Sequence, residues 1–372
     1  MIIQFSLLLV VMIISLIYEF GNQTIQSKKR CVVAVTAVLT LFSGLRTWWY
    51  GDLIKYYTLY RNCNGSDWKS YVLEKWSNTG LRIFFRVSGA VGISYDICIF
   101  IIAAFIAIAL GVVVYKFSVS PYWSYLMFIA MGFYDFTFSG LKQTIAMGFC
   151  LLASIYIFES RKLPFLILTG VAFLFHAPAA VFLLAYPIAK KKINKSYFLL
   201  IVLVFIVVFV FRNQIVNFLS DAYYADESKF VQRHGIGGRT IMMVLILVFS
   251  LFMRKLDHAD RIYAQLYNFM VFAAIIQIFS MYNNSFTRLA DYYYVFIALF
   301  FPLIMETGEH QLSLQPERRE DIRFNAQYIY TIAGVLITLY SLYYFYSYMS
   351  GGLADLYFKF CWEVDAHALY GA

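Results

Sequence analysis

The ionisable side chains that stand out are those within or at the edge of apolar text: Arg46, Asp52, Lys142, His176, Arg239 and Arg288. Charge in hydrocarbon is expensive, so each is by default a candidate functional group. Lys142 opens the apolar run 142–158, and His176 lies inside a second run, 164–189, just before Pro178. An imidazole titrates near neutrality, which suits a general base or a donor in a cavity; a buried, satisfied histidine is the plainer alternative. Lys142 reads either as a cation at the mouth of that cavity or as a lysine snorkelling at the bilayer edge. Arg46 ends an apolar run in the text GLR, where it either snorkels or offers its planar fork of donors to phosphate oxygens. Asp52, Lys55, Tyr56 and Tyr60 follow at i, i+3, i+4 and i+8, one face of a helix. That face is either an interfacial aromatic belt or the wall of a phosphate site. In YNNSFTRLADYYY, Arg288, Asp291 and Tyr292 share a helical face. They form either an Arg–Asp pair capping a span or a contact for an anion or a sugar.

Other chemistries lack their signatures. The chain has no P-loop and no GxSxG, and HGIGGR lacks the strand–turn–helix setting of a nucleotide loop. No short motif holds the paired carboxylates of a hydrolytic glycosidase. The five cysteines form no CxxC or Cys/His cluster, so neither a metal site nor a disulfide framework is indicated, and no cofactor is expected. Cys31, Cys98 and Cys150 read as small core residues.

The elements that must position these groups are membrane helices. Of 372 residues 62% are hydrophobic and 14% charged, and the apolar residues come in runs near the length that crosses a bilayer. The expected fold is an all-α, polytopic transmembrane bundle of about ten spans, a single integral membrane domain over 1–372. The expected spans are 2–19, 31–47, 94–115, 121–138, 142–158, 196–212, 239–255, 262–281, 286–305 and 326–347. The first is read as retained, because a basic n-region and a small-x-small cleavage site are lacking. A net charge of +9 carried in short loops points to anionic lipid head groups, not nucleic acid. Lys28, Lys29, Arg30, Lys116, Arg161 and Lys162 put their loops on the cytoplasmic side, with both termini outside. A single crossing by 164–189 would put Lys190, Lys191, Lys192 and Lys195 outside, against that rule. A re-entrant hairpin keeps them inside, and we favour it over a full crossing. Irregular backbone at membrane depth implies a cavity. The polar segments 48–93, a long loop, 213–238 and 348–372 then face outward. So do Arg46, Asp52, Lys142, Arg233, Arg239 and Arg288, as though to meet an anionic ligand from the outer leaflet.

The order of these motifs resembles the EpsG family, the Wzy-type polymerases of bacterial exopolysaccharide and O-antigen synthesis. The resemblance spans roughly 1–345 and rests on Gly44-Leu45-Arg46, Gly51, Asp52, Tyr56, Gln143, Ile145-Ala146, Phe175-His176, Ala179, and Arg288 with Tyr292. Gly51 and Asp52 are adjacent where the family usually has one residue between them, and Lys142 stands where it usually has Arg. The resemblance implies glycosyl transfer at the extracytoplasmic face of the bacterial cell (inner) membrane. The donor would be a glycan on undecaprenyl diphosphate, and the acceptor a lipid-linked repeat unit. It implies His176 or Asp52 as base, with Arg46, Arg288, Lys142 and Arg239 stabilising the leaving diphosphate and Tyr56 and Tyr292 lining the substrate site. A flippase and a chain-length regulator are the protein partners it implies. The competing readings are a flippase for lipid-linked glycan and a related ligase.

Overall fold

The computed structural model describes residues 2–47, 52–73, 79–223, 237–253, 261–313, 332, 334–347 and 360. Among them the chain is helical, and extended backbone pairs once, as an isolated bridge between Arg46 and Phe360. The chain divides into two compact units, Met1–Ala180 with Ser341–Ala372, and Val181–Tyr340.

The first unit holds α1 (Ile2–Glu19), α2 (Ile25–Gly44), α3 (Asp52–Asn64), α4 (Trp68–Leu73), α5 (Thr79–Ala90), α6 (Tyr95–Phe117), α7 (Pro121–Ala130), α8 (Phe133–Phe136), α9 (Leu141–Phe158) and α10 (Lys162–Phe175). Caps fix the starts. Thr24 and Ser27 form a capping box on α2, Ser94 accepts from the Ile97 amide on α6, and Ser120 with Pro121 begins α7. Small residues let the helices close up. Gly44 faces Phe100, and Gly111 faces Thr36 and Val32, which sets α2 antiparallel to α6. Gly148 faces Phe105, and Lys116 and Glu159 meet where the two helices end, so α6 and α9 run the same way. Helix α10 returns antiparallel to α9 through a turn in which Ser160 takes a positive φ of 60°.

This path sorts the loops to two ends of the unit. At one end Glu19 accepts from the Ser120 hydroxyl and the Tyr122 amide, Lys28 donates to the Ser118 carbonyl, and Lys116 meets Glu159 at 3.5 Å. The basic loops at Lys28, Lys116 and Arg161, assigned to one side from the Lys/Arg count, therefore share one end. Gly44–Thr47, the start of α6, the start of α9 and the end of α10 gather at the other.

Segment 48–93, expected as a long polar loop, is instead built from α3, α4 and α5 in its described part. Leu53, Cys63, Val72, Leu81 and Phe85 are buried in one core with Tyr95, Cys98, Leu141 and Ile145. An apolar stripe at helical spacing outweighs the segment's polar composition. The expected span 121–138 is also broken. Gly132 takes a positive φ of 79° between α7 and α8, and the Tyr134 hydroxyl turns back to the Leu39 carbonyl.

Helix α10 stops at Phe175, His176 is extended (φ −149°, ψ 105°), and a 3-10 turn, Ala177–Leu184, follows. The interruption falls where Pro178 demands it, because proline has no N–H for the carbonyl four residues back.

In the second unit we label α11 (Ala185–Ala189), α12 (Lys195–Val210), α13 (Arg212–Tyr223), α14 (Gly238–Met253), α15 (Arg261–Gln277), α16 (Ser285–Tyr294) and α17 (Ile297–Ser313). Its centre is aromatic: Phe182 and Phe269 are in ring contact with each other and both with Tyr293 and Phe296, with Phe182 and Phe296 stacked at 5.8 Å. Asn268 fastens the end of α11 by donating to the Ile188 and Lys191 carbonyls. Helix α12 buries none of its residues. With α14 it walls an open apolar crevice of about 420 Å³, lined by Phe198, Val202, Phe205, Phe209, Val244 and Val248 among others.

Among the described residues three helices are long and apolar enough to cross a membrane: Tyr95–Phe117, Leu141–Phe158 and Arg261–Met281. A fourth span results if α16 and α17, bent by 46°, count as one. The other apolar helices fall short by length, so the described helices do not reproduce the expected count of about ten spans. The break at Gly132 accounts for part of the shortfall.

Candidate functional site

Two clusters of charge carry the residues singled out in the sequence, one in each unit. In the first unit Arg46 follows the end of α2 and is 2% exposed. Its guanidinium donates to the Ser43 carbonyl, to the Ser43 hydroxyl at 2.8 Å and to the Thr137 carbonyl at 3.2 Å, and it lies 5.5 Å over the Phe138 ring. It is turned inward and pinned, not snorkelling along the surface. Tyr134, next to the buried Asp135, feels both Arg46 and Asp135.

Helix α3 forms with the spacing read from the sequence. Asp52 opens it and bonds Lys55 at 2.8 Å; both are exposed. Leu53 and Cys63 point into the core, and Tyr56, Tyr57 and Tyr60 pack against it. The Tyr60 hydroxyl donates to the Ile93 carbonyl and that of Tyr95 to the Leu53 carbonyl, which ties α3 to the start of α6. Arg46 and Tyr56 both lie close enough to act on the Tyr95 hydroxyl.

Lys142, on the first turn of α9, is half-buried with its ammonium 5.8 Å from the Tyr56 ring centre. The charges that act on it are Arg82 and Asp52. His176 is half-buried at the end of α10. Because α9 and α10 are antiparallel, the start carrying Lys142 and the end carrying His176 fall at the same end of the pair. Gly80 brings α5 there too: a Cβ on it would stand 3.1 Å from the Leu174 carbonyl oxygen and 3.0 Å from the Phe175 ring. Arg46, Tyr56, Lys142 and His176 are therefore collected at one end of the unit, with Asp52 at their edge.

Arg82 was not singled out in the sequence. It lies on α5, is 9% exposed, and its charge reaches Lys142 and Cys63 of α3. Burial pushes the Cys63 thiol up, while Arg82 and Arg86 pull it back. The signal was legible in LRIFFRVSGA, where Leu81, Phe85 and Ser88 repeat at helical spacing and carry Arg82 with them.

In the second unit Asp291 pairs with Arg239, their side chains 6% and 13% exposed, and the Arg239 guanidinium lies 4.8 Å over the Tyr294 ring. The expected partner was Arg288, four positions of the same face away from Tyr292. Arg288 is exposed and adds a weaker attraction to the Asp291 carboxylate. The reason is geometric: Arg239, at the start of α14, reaches the carboxylate directly. Tyr292 is fully buried. Arg233 lies outside the described residues, as does Gly51. Among the described residues no group of His, Cys, Asp and Glu could hold a metal ion.

The arrangement in the first unit can bind an anion beside an imidazole, in aromatic and apolar surroundings. No curated protein and no solved structure matches the chain. A family model described as the EpsG family matches residues 29–360.

Proposed function

Since the chain belongs to the EpsG family, a membrane-embedded family of polysaccharide biosynthesis, we propose that it is the polymerase that joins lipid-linked repeat units. The observation that carries this reading is the gathering of Arg46, Lys142 and His176 at one end of one helical unit, with Tyr56 beneath Lys142. The donor is a growing glycan on undecaprenyl diphosphate, the acceptor is a repeat unit on the same lipid, and transfer occurs at the extracytoplasmic face of the cell membrane.

An acceptor hydroxyl attacks the anomeric carbon of the donor. The new C–O bond forms as the bond to the diphosphate oxygen breaks, and the diphosphate leaves with both bonding electrons. His176 takes the hydroxyl proton, with Asp52 as the alternative base. Fixed cations of the first unit, Arg46 and Lys142, lower the barrier by meeting charge as it develops on the leaving group, and Arg239 and Arg288 of the second unit offer an anion contact of their own. Tyr56 shapes the site. The bond broken supplies the driving force, so the reading asks for no nucleotide or metal.

Deletion of the gene in its host tests it. Single lipid-linked repeat units should persist on the outer leaflet while long chains vanish. Units retained on the inner leaflet would mark a flippase instead, and chains of normal length would end the proposal.

A further inference from the structure

Two apolar cavities lie along α12 and α14 in the second unit, the crevice of about 420 Å³ and another of about 240 Å³. Phe205, Phe209 and Val244 line both, so the two join into one track. The track reaches from Phe198 and Leu251 at one end to Phe209 and Thr240 at the other. From Phe198 to Phe209 the helix rises about 16 Å. That is close to the depth of hydrocarbon in one leaflet, half of about 30 Å. Because α12 buries none of its residues, the track stays open along its length. Walls without atoms against them forfeit the dispersion contacts of a packed interior, and a hydrocarbon chain would restore them.

A cation stands at the Phe209 end. Arg212 opens α13 just beyond the end of α12, and its guanidinium lies 4.5 Å over the Phe209 ring. Its Nη1 donates to the Phe209 carbonyl at 2.6 Å. Its Nε is shielded from water and has no acceptor. Among the described residues no carboxylate pairs with it, so the Nη2 side of the fork is left for a ligand. The cation at the opposite end, Lys195, is exposed, and a solvated ammonium holds a charged group weakly.

We infer that the α12–α14 track holds one acyl chain of an anionic phospholipid, with the lipid's phosphate at Arg212. The length of the track fits a chain that spans one leaflet, and an isoprenoid of undecaprenyl length would overrun it. The arginine fork suits phosphate oxygens. A net negative head group is favoured over a zwitterionic one, because in the latter a second cation offsets the phosphate charge. The site belongs to the second unit and its ligand is a bulk membrane lipid, so its test does not bear on glycan transfer.

The full chain, purified in detergent and stripped of lipid, is titrated with phosphatidylglycerol, phosphatidylcholine and undecaprenyl phosphate, and bound lipid is counted by native mass spectrometry. The wild type should hold one phosphatidylglycerol roughly ten-fold more tightly than phosphatidylcholine, the worth of about one charge-assisted contact. Arg212→Gln should bind both lipids alike, Arg212→Lys should keep part of the preference, and Lys195→Gln should keep all of it. Val244 lines both cavities and is exposed, so Val244→Trp fills the track without entering the core and should weaken both phospholipids several-fold. Melting gives a second readout: phosphatidylglycerol should raise the melting temperature of the wild type more than that of Arg212→Gln. A wild type that binds the two phospholipids equally, or neither, overturns the inference. So does a preference that survives Arg212→Gln or is lost in Lys195→Gln. Binding untouched by Val244→Trp removes the chain from the track, and displacement of phosphatidylglycerol by an equal concentration of undecaprenyl phosphate assigns the track to an isoprenoid instead.

Discussion

The Arg239–Asp291 pair permits a prediction in which stability and function part company. Both side chains are largely out of solvent, at 13% and 6% exposure, and Arg239 also covers the Tyr294 ring. Removing one partner strands a buried charge, which costs about 3–5 kcal/mol. Replacing both with apolar side chains of similar bulk is close to neutral, since neither charge must then be desolvated. Arg239→Met alone and Asp291→Leu alone should each lower the melting temperature of the purified protein by roughly 10 °C, taking 2–4 °C per kcal/mol for a unit of this size. The double variant should recover most of that loss, because methionine keeps an apolar contact with Tyr294. Chain growth should not recover with it if Arg239 helps to hold the diphosphate. The assay is a thermal melt of the four proteins, the wild type included, beside gel sizing of the glycan they make in a deletion host. A double variant that melts no higher than the worse single refutes the desolvation argument. A double variant that restores normal chains removes Arg239 from the substrate site.

Further outcomes follow from neighbouring positions. Arg288 is exposed, so Arg288→Ala should leave stability within about 0.5 kcal/mol yet abolish long chains on the same gel. Arg46→Ala should also abolish them, and should lower the melting temperature, because it strips donors from the Ser43 and Thr137 carbonyls, about 1–3 kcal/mol for each acceptor left buried and unsatisfied. Gly80→Val should destabilise by about 1–3 kcal/mol in a thermal melt, since its Cβ would meet the Leu174 backbone at 3.1 Å as well as the Phe175 ring at 3.0 Å, and the backbone cannot step aside as a side-chain tip can. A cysteine at Lys191 should resist a membrane-impermeant thiol reagent in whole cells if 164–189 is a hairpin; labelling from outside would show a full crossing. Background is low for that measurement, as Cys31, Cys63, Cys98 and Cys150 are buried, and Cys361 can be replaced by serine.

What the sequence could reveal depended on whether a signal was local. The all-helical class was legible from composition, and the sharing of one end by the loops at Lys28, Lys116 and Arg161 was legible from charge alone. Helix α3 was legible because the spacing of Asp52, Lys55, Tyr56 and Tyr60 is a property of the helix itself. The break at His176 followed from Pro178. Failures came where the deciding contact is distant in the chain. Segment 121–138 is apolar throughout, and only the pull of the Leu39 carbonyl on Tyr134 and the freedom of Gly132 to take a positive φ show why it turns. Segment 48–93 reads polar on average, yet α5 is core because α9 and α10 supply the surface it covers. Arg82 was missed for that reason, and Asp291 was matched with the arginine on its own helix when the nearer one lies on α14.

The structure also separates two uses of a cation that the sequence could not distinguish. Arg46 spends donors on the Ser43 and Thr137 carbonyls, so it is fixed before any ligand arrives. A cation held in that way contributes charge at a set position and needs no reorganisation when a leaving group becomes negative, the arrangement that favours a transition state over bound substrate. It is poorly suited to wrapping a phosphate, because its fork is already engaged. Lys142 comes from α9 and lies half-buried over the Tyr56 ring, so its ammonium is the more adaptable point of charge at that end of the unit.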